Sequence, residues 1–273
     1  ASSGASVMTV ATTGDADDND FAITSGNTGT AFAIDAASGA ITTAAALDFE
    51  TTPSYTLSVS VSDGTTTVSA TDITISVSDA NDESPVWVSA AAQSVDENTQ
   101  NVISAMSATD ADGSDSVSYA IATNDNSLFE ISGTTLRFAS SDGADYESPG
   151  CGSSSNTCTV VVTASDGASP ANTADRTFTI TVGNVNEVPI WVSAAAQSVD
   201  ENTQNVVALS ATDEDSGDTV SYSIATNDNS LFEISSGTLR FASSSGANYE
   251  SPGCGSGADS NTCTVIVTAT YDA

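Results

Sequence analysis

The stretch DANDESP (Asp79–Pro85) carries three acids and an asparagine with no basic residue beside them. NVNEVP (Asn184–Pro189) makes the same statement with fewer charges. Elsewhere acids come in pairs two residues apart: Asp48 and Glu50, Asp110 and Asp112, Asp145 and Glu147, Asp213 and Asp215. On extended chain, positions i and i+2 point to the same side, so each pair presents two carboxylates together. Such groups suit a hard divalent cation, since calcium takes roughly six to eight oxygens from carboxylates, amides and carbonyls in flexible geometry. Catalysis has less to work with. The chain has no histidine and no lysine, and a two-carboxylate glycosidase would need an aromatic-lined cleft particular to one part of it. The residues predict binding, with calcium as the bound species, and no enzyme.

The charge balance points the same way. Three basic residues, Arg137, Arg176 and Arg240, face 36 acids, a net charge of −33. Such a surface repels nucleic acid and anionic membranes. No stretch approaches the ~20 apolar residues of a membrane span. Four cysteines form two local pairs, Cys151 with Cys158 and Cys254 with Cys263, in Gly/Ser/Asn-rich loops. Their spacing does not fit C-x-x-C zinc ligation, and two local disulfides in an oxidising, extracellular compartment are expected.

A repeat must position these residues. WVSAAAQSVDENTQNV occurs unchanged from Trp87 and from Trp191, a period of 104 residues. ATDAD (Ala108–Asp112) returns as ATDED (Ala211–Asp215), and DYESPGC as NYESPGC. A diverged copy precedes both, with TTGDADD (Thr12–Asp18), LDFE (Leu47–Glu50) and SVSDG (Ser60–Gly64) as its landmarks. Segments such as YTLSVSVSD and RTFTITVGN alternate apolar residues with Ser or Thr, and turn clusters separate them. These patterns predict an all-β chain of tandem Ig-like β-sandwich domains in an elongated array, spanning 1–84, 85–188 and 189–273. An up-and-down strand order would send the acidic loops to the two poles of each sandwich. Trp87 and Trp191 are expected to pack near the domain ends, and Arg137 and Arg240, on equivalent strands, to pair with a nearby carboxylate.

With DEN (Asp96, Asp200), ATDAD/ATDED, LDFE/ADYE/ANYE, SDG and DANDESP/NVNEVP in that order, the chain resembles the cadherin family, taken broadly enough to include bacterial cadherin-like domains. The resemblance implies calcium at each junction, with ligands from both neighbours. At the first it implies Asp48, Glu50, Asp79, Asn81 and Asp82 from one side, and Asp110, Asp112 and Asp166 from the other. At the second it implies Glu97, Asp145, Glu147, Asn184, Asn186 and Glu187, with Asp213, Asp215 and Asp272. Two departures stand out. Asn184 replaces the acid found at Asp79, and the first copy lacks the DEN glutamate.

The first copy begins near its second strand, and the third stops before an equivalent of RTFTITVGNVNE. Either the chain is a window on a longer array, or it is a subunit whose open ends are completed by neighbours through strand addition. Both readings place further calcium between units, at Asp15, Asp17 and Asp63 at one end and Glu201, Asn248 and Glu250 at the other. The function expected is a calcium-rigidified extracellular adhesin, stalk or filament segment. Its partners would be neighbouring copies and a cell-surface or glycan ligand. A carbohydrate-binding spacer of a secreted enzyme is the distant alternative.

Overall fold

The structure, a computed structural model, describes residues 3–13, 20–69, 72–112, 116–152, 155–251, 253–254 and 261–272, without the side chains of 69 and 272. Its strands follow the two-residue period. In Thr157–Ser165 (TCTVVVTAS), Cys158, Val160, Val162 and Ala164 are buried while the residues between them reach the surface. One face of each strand is thus apolar and must be covered by a second sheet.

The middle unit is complete. One sheet runs Ser118–Asn124, Thr157–Ser165, Thr173–Gly183, Ala92–Asp96, with the last strand added in parallel. The other runs Asn101–Ile103, Thr135–Phe138, Phe129–Ser132. Phe129, Leu136, Phe138, Val160, Val162, Phe178 and Ile180 fill the space between. Trp87 lies tilted against Tyr119, meets Phe178 edge-on at 5.4 Å, and donates its indole N–H to the Ala174 carbonyl at 3.0 Å. Its role is packing, as expected.

The up-and-down order is not what forms. After Ser118–Asn124 the chain crosses to the opposite sheet for the hairpin Phe129–Ser132/Thr135–Phe138, then returns for Thr157–Ser165. The cause lies in the hairpin. Its two-residue turn at Gly133 and Thr134 keeps both strands in one sheet, while Phe129 and Phe138 stack at 4.9 Å and must face the core. Strand direction still alternates across the crossing, so the acidic loops do reach the poles.

Both cysteine pairs are disulfides, Cys151–Cys158 and Cys254–Cys263, with Cα atoms 4.9 and 4.8 Å apart. Arg137 and Arg240 pair across strands with Glu130 and Glu233, each at 2.7 Å. The loop after Phe138 must pass close over Thr99 to bring Glu147 beside Glu97. Gly143 makes this possible: at φ +85°, a Cβ there would sit 2.5 Å from the Thr99 carbonyl oxygen. Gly246 repeats the arrangement over Thr203.

The outer units are thinner. In the first, Ser6–Thr9, Ala40–Thr43 and Phe32–Ile34 form one sheet, and Asp20–Ser25 and Ser54–Ser62 anchor the other. In the third, only Thr219–Asn227 and Val265–Asp272 make up the second sheet among the described residues. There the repeated stretch behaves differently. Ala92–Asp96 is a strand because Thr173–Gly183 supplies its partner, from Thr179↔Ala92 to Gly183↔Asp96. The same five residues at 196–200 meet no such partner and form no strand.

Candidate metal centres

At the first seam, the turn after Leu47 brings in Glu50, the end of Ile73–Ser76 delivers Asp79, and the loop after Ala108–Thr109 delivers Asp110 and Asp112. Glu50, Asp79 and Asp112 each place a carboxylate oxygen within 4.8 Å of the others. Asp112 is only 5% exposed; its Oδ2 accepts from the Glu83 N–H at 3.1 Å, while Oδ1 has no partner. Asp110 Oδ1 accepts from the Asp112 N–H at 3.0 Å, and its Oδ2 is likewise buried and unpartnered. Asn81 donates to the Pro170 carbonyl at 3.0 Å and leaves its own Oδ1 unpartnered. Burial of unpaired oxygens normally costs free energy, so their convergence calls for an electropositive species.

The charges there repel. Burial raises the Asp112 pKa, the carboxylates of Asp110, Asp79 and Asp82 raise it further, and the Glu83 N–H offsets only part. Glu50 is pulled down by its own N–H, yet burial and the charges of Asp79, Asp112 and Asp82 leave it raised. Asp166 goes the other way. It is buried, which pushes it up, but N–H groups of Asn172 and Ala168 and the amides of Asn81 and Asn172 hold it below the usual range. Asn172 also donates to the Asn81 carbonyl at 3.3 Å, tying the linker to the middle unit.

The second seam is built alike. Glu97, 4% exposed, accepts from Tyr146 N–H and Val185 N–H, each at 2.8 Å, so it holds loop and linker together. Glu97, Glu147 and Glu187 form one group within 4.8 Å, and Asp213, Asp215 and Asp218 form another. Glu187 Oε2 and Asp213 Oδ2 are buried without a partner. Burial, then the charges of Glu97, Asp215 and Glu147, raise the Glu187 pKa; burial raises Glu147, with Glu97, Asp215 and Asp145 adding to it. One contact separates the seams. Asn184, at the position of Asp79, donates its amide to Asp215 Oδ1 at 2.7 Å. A like-charge approach at the first seam is a hydrogen bond at the second.

Other sequence-derived candidates stand apart. Asp48 accepts from the N–H and hydroxyl of Thr51, and Asp145 from the Ser148 N–H, so both brace their own turns. The exposed Asn186 amide donates to the Glu187 carbonyl. Asp63 accepts from the N–H groups of Thr66 and Thr65, which lower its pKa to about 2. Exposed Glu201 accepts from the Tyr249 N–H at 3.3 Å, and Asn248 from the Glu250 N–H at 3.0 Å. Asp15, Asp17 and the side chain of Asp272 lie outside the described residues. Sequence reasoning missed Asp218, Asn172 and Asn98, whose amide donates to Glu187 Oε1 at 3.3 Å. Only Asp218 carried a signal, as the fourth acid of DEDSGD.

The raised carboxylates give a pH dependence of definite sign. Glu50, Asp112, Glu147 and Glu187 titrate higher folded than unfolded, so the folded state takes up protons first as pH falls. Metal-stripped protein should therefore melt at a higher temperature near pH 5 than at pH 7. Below about pH 4 the depressed Asp166, Asp48 and Asp63 reverse the trend. Melting curves across this range check it; a midpoint that falls steadily from pH 7 would contradict it.

Residues 1–78 match a family model described as Cadherin domain. Mouse Protocadherin Fat 4 is 32% identical over 236 residues, covering 80% of this chain and 4% of that protein. Cadherin-99C of Drosophila melanogaster is 29% identical over 241 residues, 85% of this chain and 14% of its own length. The chain thus spans a small part of these relatives. Among solved structures, human CDH23 EC21-23 superposes with a TM-score of 0.62 at 20% identity, over 89% of this chain and 85% of that one. At that identity the likeness concerns fold.

Proposed function

Because the chain is a tandem array of cadherin-like repeats, we propose that its two acidic seams bind calcium and that it serves as a calcium-stiffened extracellular adhesin, stalk or filament segment. The repeats would divide at 1–84, 85–188 and 189–273. The observation that carries this reading is the convergence of buried, unpartnered oxygens on each seam: Asn81 Oδ1, Asp110 Oδ2 and Asp112 Oδ1 at the first, Glu187 Oε2 and Asp213 Oδ2 at the second. Glu50, Asp79, Asn81, Asp110 and Asp112 would hold ions at the first seam, with Asp82 supplying charge. Glu97, Glu147, Glu187, Asp213, Asp215 and Asp218 would hold them at the second. The donor set is all oxygen, which favours calcium over softer ions. Bound calcium would neutralise carboxylates that otherwise repel across the seam, fixing the angle between neighbours. Adhesive partners would be neighbouring copies or a cell-surface or glycan ligand.

Asp112→Asn tests the reading, since it keeps size and the acceptor for Glu83 but removes a charge. Calorimetric titration should find at least one fewer calcium ion per chain, with no loss at the second seam. Metal-free, the variant should melt no lower than the parent because a repulsion is relieved. Unchanged stoichiometry and affinity would overturn the assignment.

A further inference from the structure

Glu147 reaches the second seam on a loop that differs in kind from its counterpart in the first unit. Strand Ser54–Ser62 starts four positions after Glu50, whereas Thr157–Ser165 starts ten positions after Glu147. The longer loop is pinned at its far end. Asn126 donates its amide to the Gly150 carbonyl at 2.7 Å, and Asp125 accepts from the Gly152 N–H at 3.1 Å. Between these two contacts Cys151 is joined to Cys158, within the strand. Both cysteines are buried in the core that holds Phe129. In the first unit Tyr55 precedes TLSVSVSD as Cys158 precedes TVVVTASD, and its ring packs on Phe32 instead.

The loop has little packing beneath it. It arches over a cavity of about 260 Å³ bordered by Leu128, Phe138, Ala144 and Pro149. Upstream of Glu147, the Tyr146 N–H donates to Glu97 at 2.8 Å. Glu147 therefore stands between two anchors, a hydrogen bond on one side and the disulfide on the other. The carboxylates of Glu97, Glu147 and Glu187 lie within 4.8 Å of one another, so without an ion their repulsion pushes Glu147 outward when an anchor yields.

We propose that Cys151–Cys158 is a redox latch on the second seam: closed, it holds Glu147 at the ion, and opening it with a thiol reductant weakens calcium there. This regulation rests on the calcium reading of the seam. The electrons come from a dithiol. One of its thiolates attacks the sulfur of Cys151, which is 7% exposed against 0% for Cys158, and the Cys158 thiolate leaves and takes up a proton. The second thiolate then attacks the mixed disulfide, releasing Cys151 as a thiol and the reductant as a cyclic disulfide. Coupling is reciprocal, so calcium on Glu147 should in turn shield the disulfide. Glu50, on its short loop without a cysteine, escapes this control.

The test uses the whole chain, calcium ions as the ligand and dithiothreitol as the reductant. Calorimetric titration under reductant should show one group of calcium sites weakened about tenfold, and these should be the sites that Glu187→Gln impairs. Differential alkylation with mass mapping follows each disulfide separately. Saturating calcium should slow reduction of Cys151–Cys158 at least about tenfold, but by no more than about twofold in Glu147→Gln. The double variant Cys151→Ala/Cys158→Ala should repeat the weakening without reductant. Where its emptied core impairs folding, the reduction rates of the parent chain decide. A reduced chain that melts lower yet binds calcium unchanged would make the disulfide purely structural and overturn the latch. Equal reduction rates in calcium and in chelator would overturn it too. An oxidised chain that binds no calcium would instead remove the calcium reading, and the latch with it.

Discussion

Removing calcium should lower the thermal midpoint by about 10 °C or more and change the scattering profile, with the first seam loosening before the second. The size follows from linkage. An ion at about a hundred times its dissociation constant contributes roughly 2.7 kcal/mol to the state that binds it, and each kcal/mol moves a domain of this size by about 4–8 °C. The order follows from one substitution. Asp79 meets Asp112 as a like charge, whereas Asn184 donates to Asp215 at 2.7 Å. The second seam therefore keeps a neutralising contact when the ion leaves. Asp79→Asn should make the first seam behave like the second, with higher stability in chelator and a smaller gain from calcium. Paired melts and small-angle scattering, with and without metal, measure both effects. Identical profiles in the two conditions would sink the calcium reading.

Phe178→Ala should cost the middle unit about 3–5 kcal/mol, because it empties a fully buried site at the centre of the best-filled core. The ring also supports Trp87, which ties the entering strand to Thr173–Gly183 through Ala174. Loss should therefore appear first in the near-ultraviolet signal of Trp87, and as a separate early melting transition. Ile266→Ala, at a position 52% exposed, should change stability by no more than about 0.5 kcal/mol. Calorimetry on the two variants checks the contrast; equal effects would mean that the core does not sit where the burial places it.

The alternation in Thr157–Ser165 made its buried face legible from sequence, and the i, i+2 acid pairs made the seams legible. Cysteine spacing was enough to pair Cys151 with Cys158, because only seven positions separate them. What sequence could not reveal depends on contacts between distant segments. Asn172 reaches the linker only after its loop folds beside Asn81, and Asn98 meets Glu187 across 89 positions. The crossing between sheets depends on which face of a short hairpin must be buried, which alternation alone leaves open. Most telling are the twin pentapeptides at 92–96 and 196–200. Identical residues give a strand in one place and none in the other, so the deciding information lies in the strand alongside.

The rarity of basic residues has a consequence for how the molecule would be taken apart. A protease that cuts after lysine or arginine has three sites, and all three lie on strands. Arg137 and Arg240 are clasped by glutamates, and Arg176 donates to the Trp87 carbonyl at 3.4 Å. Cleavage needs the chain extended in the enzyme's cleft, so each site becomes available only when its sheet opens. Trypsin thus reads local opening unit by unit. Cuts at Arg137 and Arg176 report the middle unit, a cut at Arg240 reports the third, and the first contributes no site at all. Digestion should yield Arg240 fragments well before the others, since the third unit has the emptier core. The same scarcity leaves the folded chain few openings for any protease that cuts after basic residues.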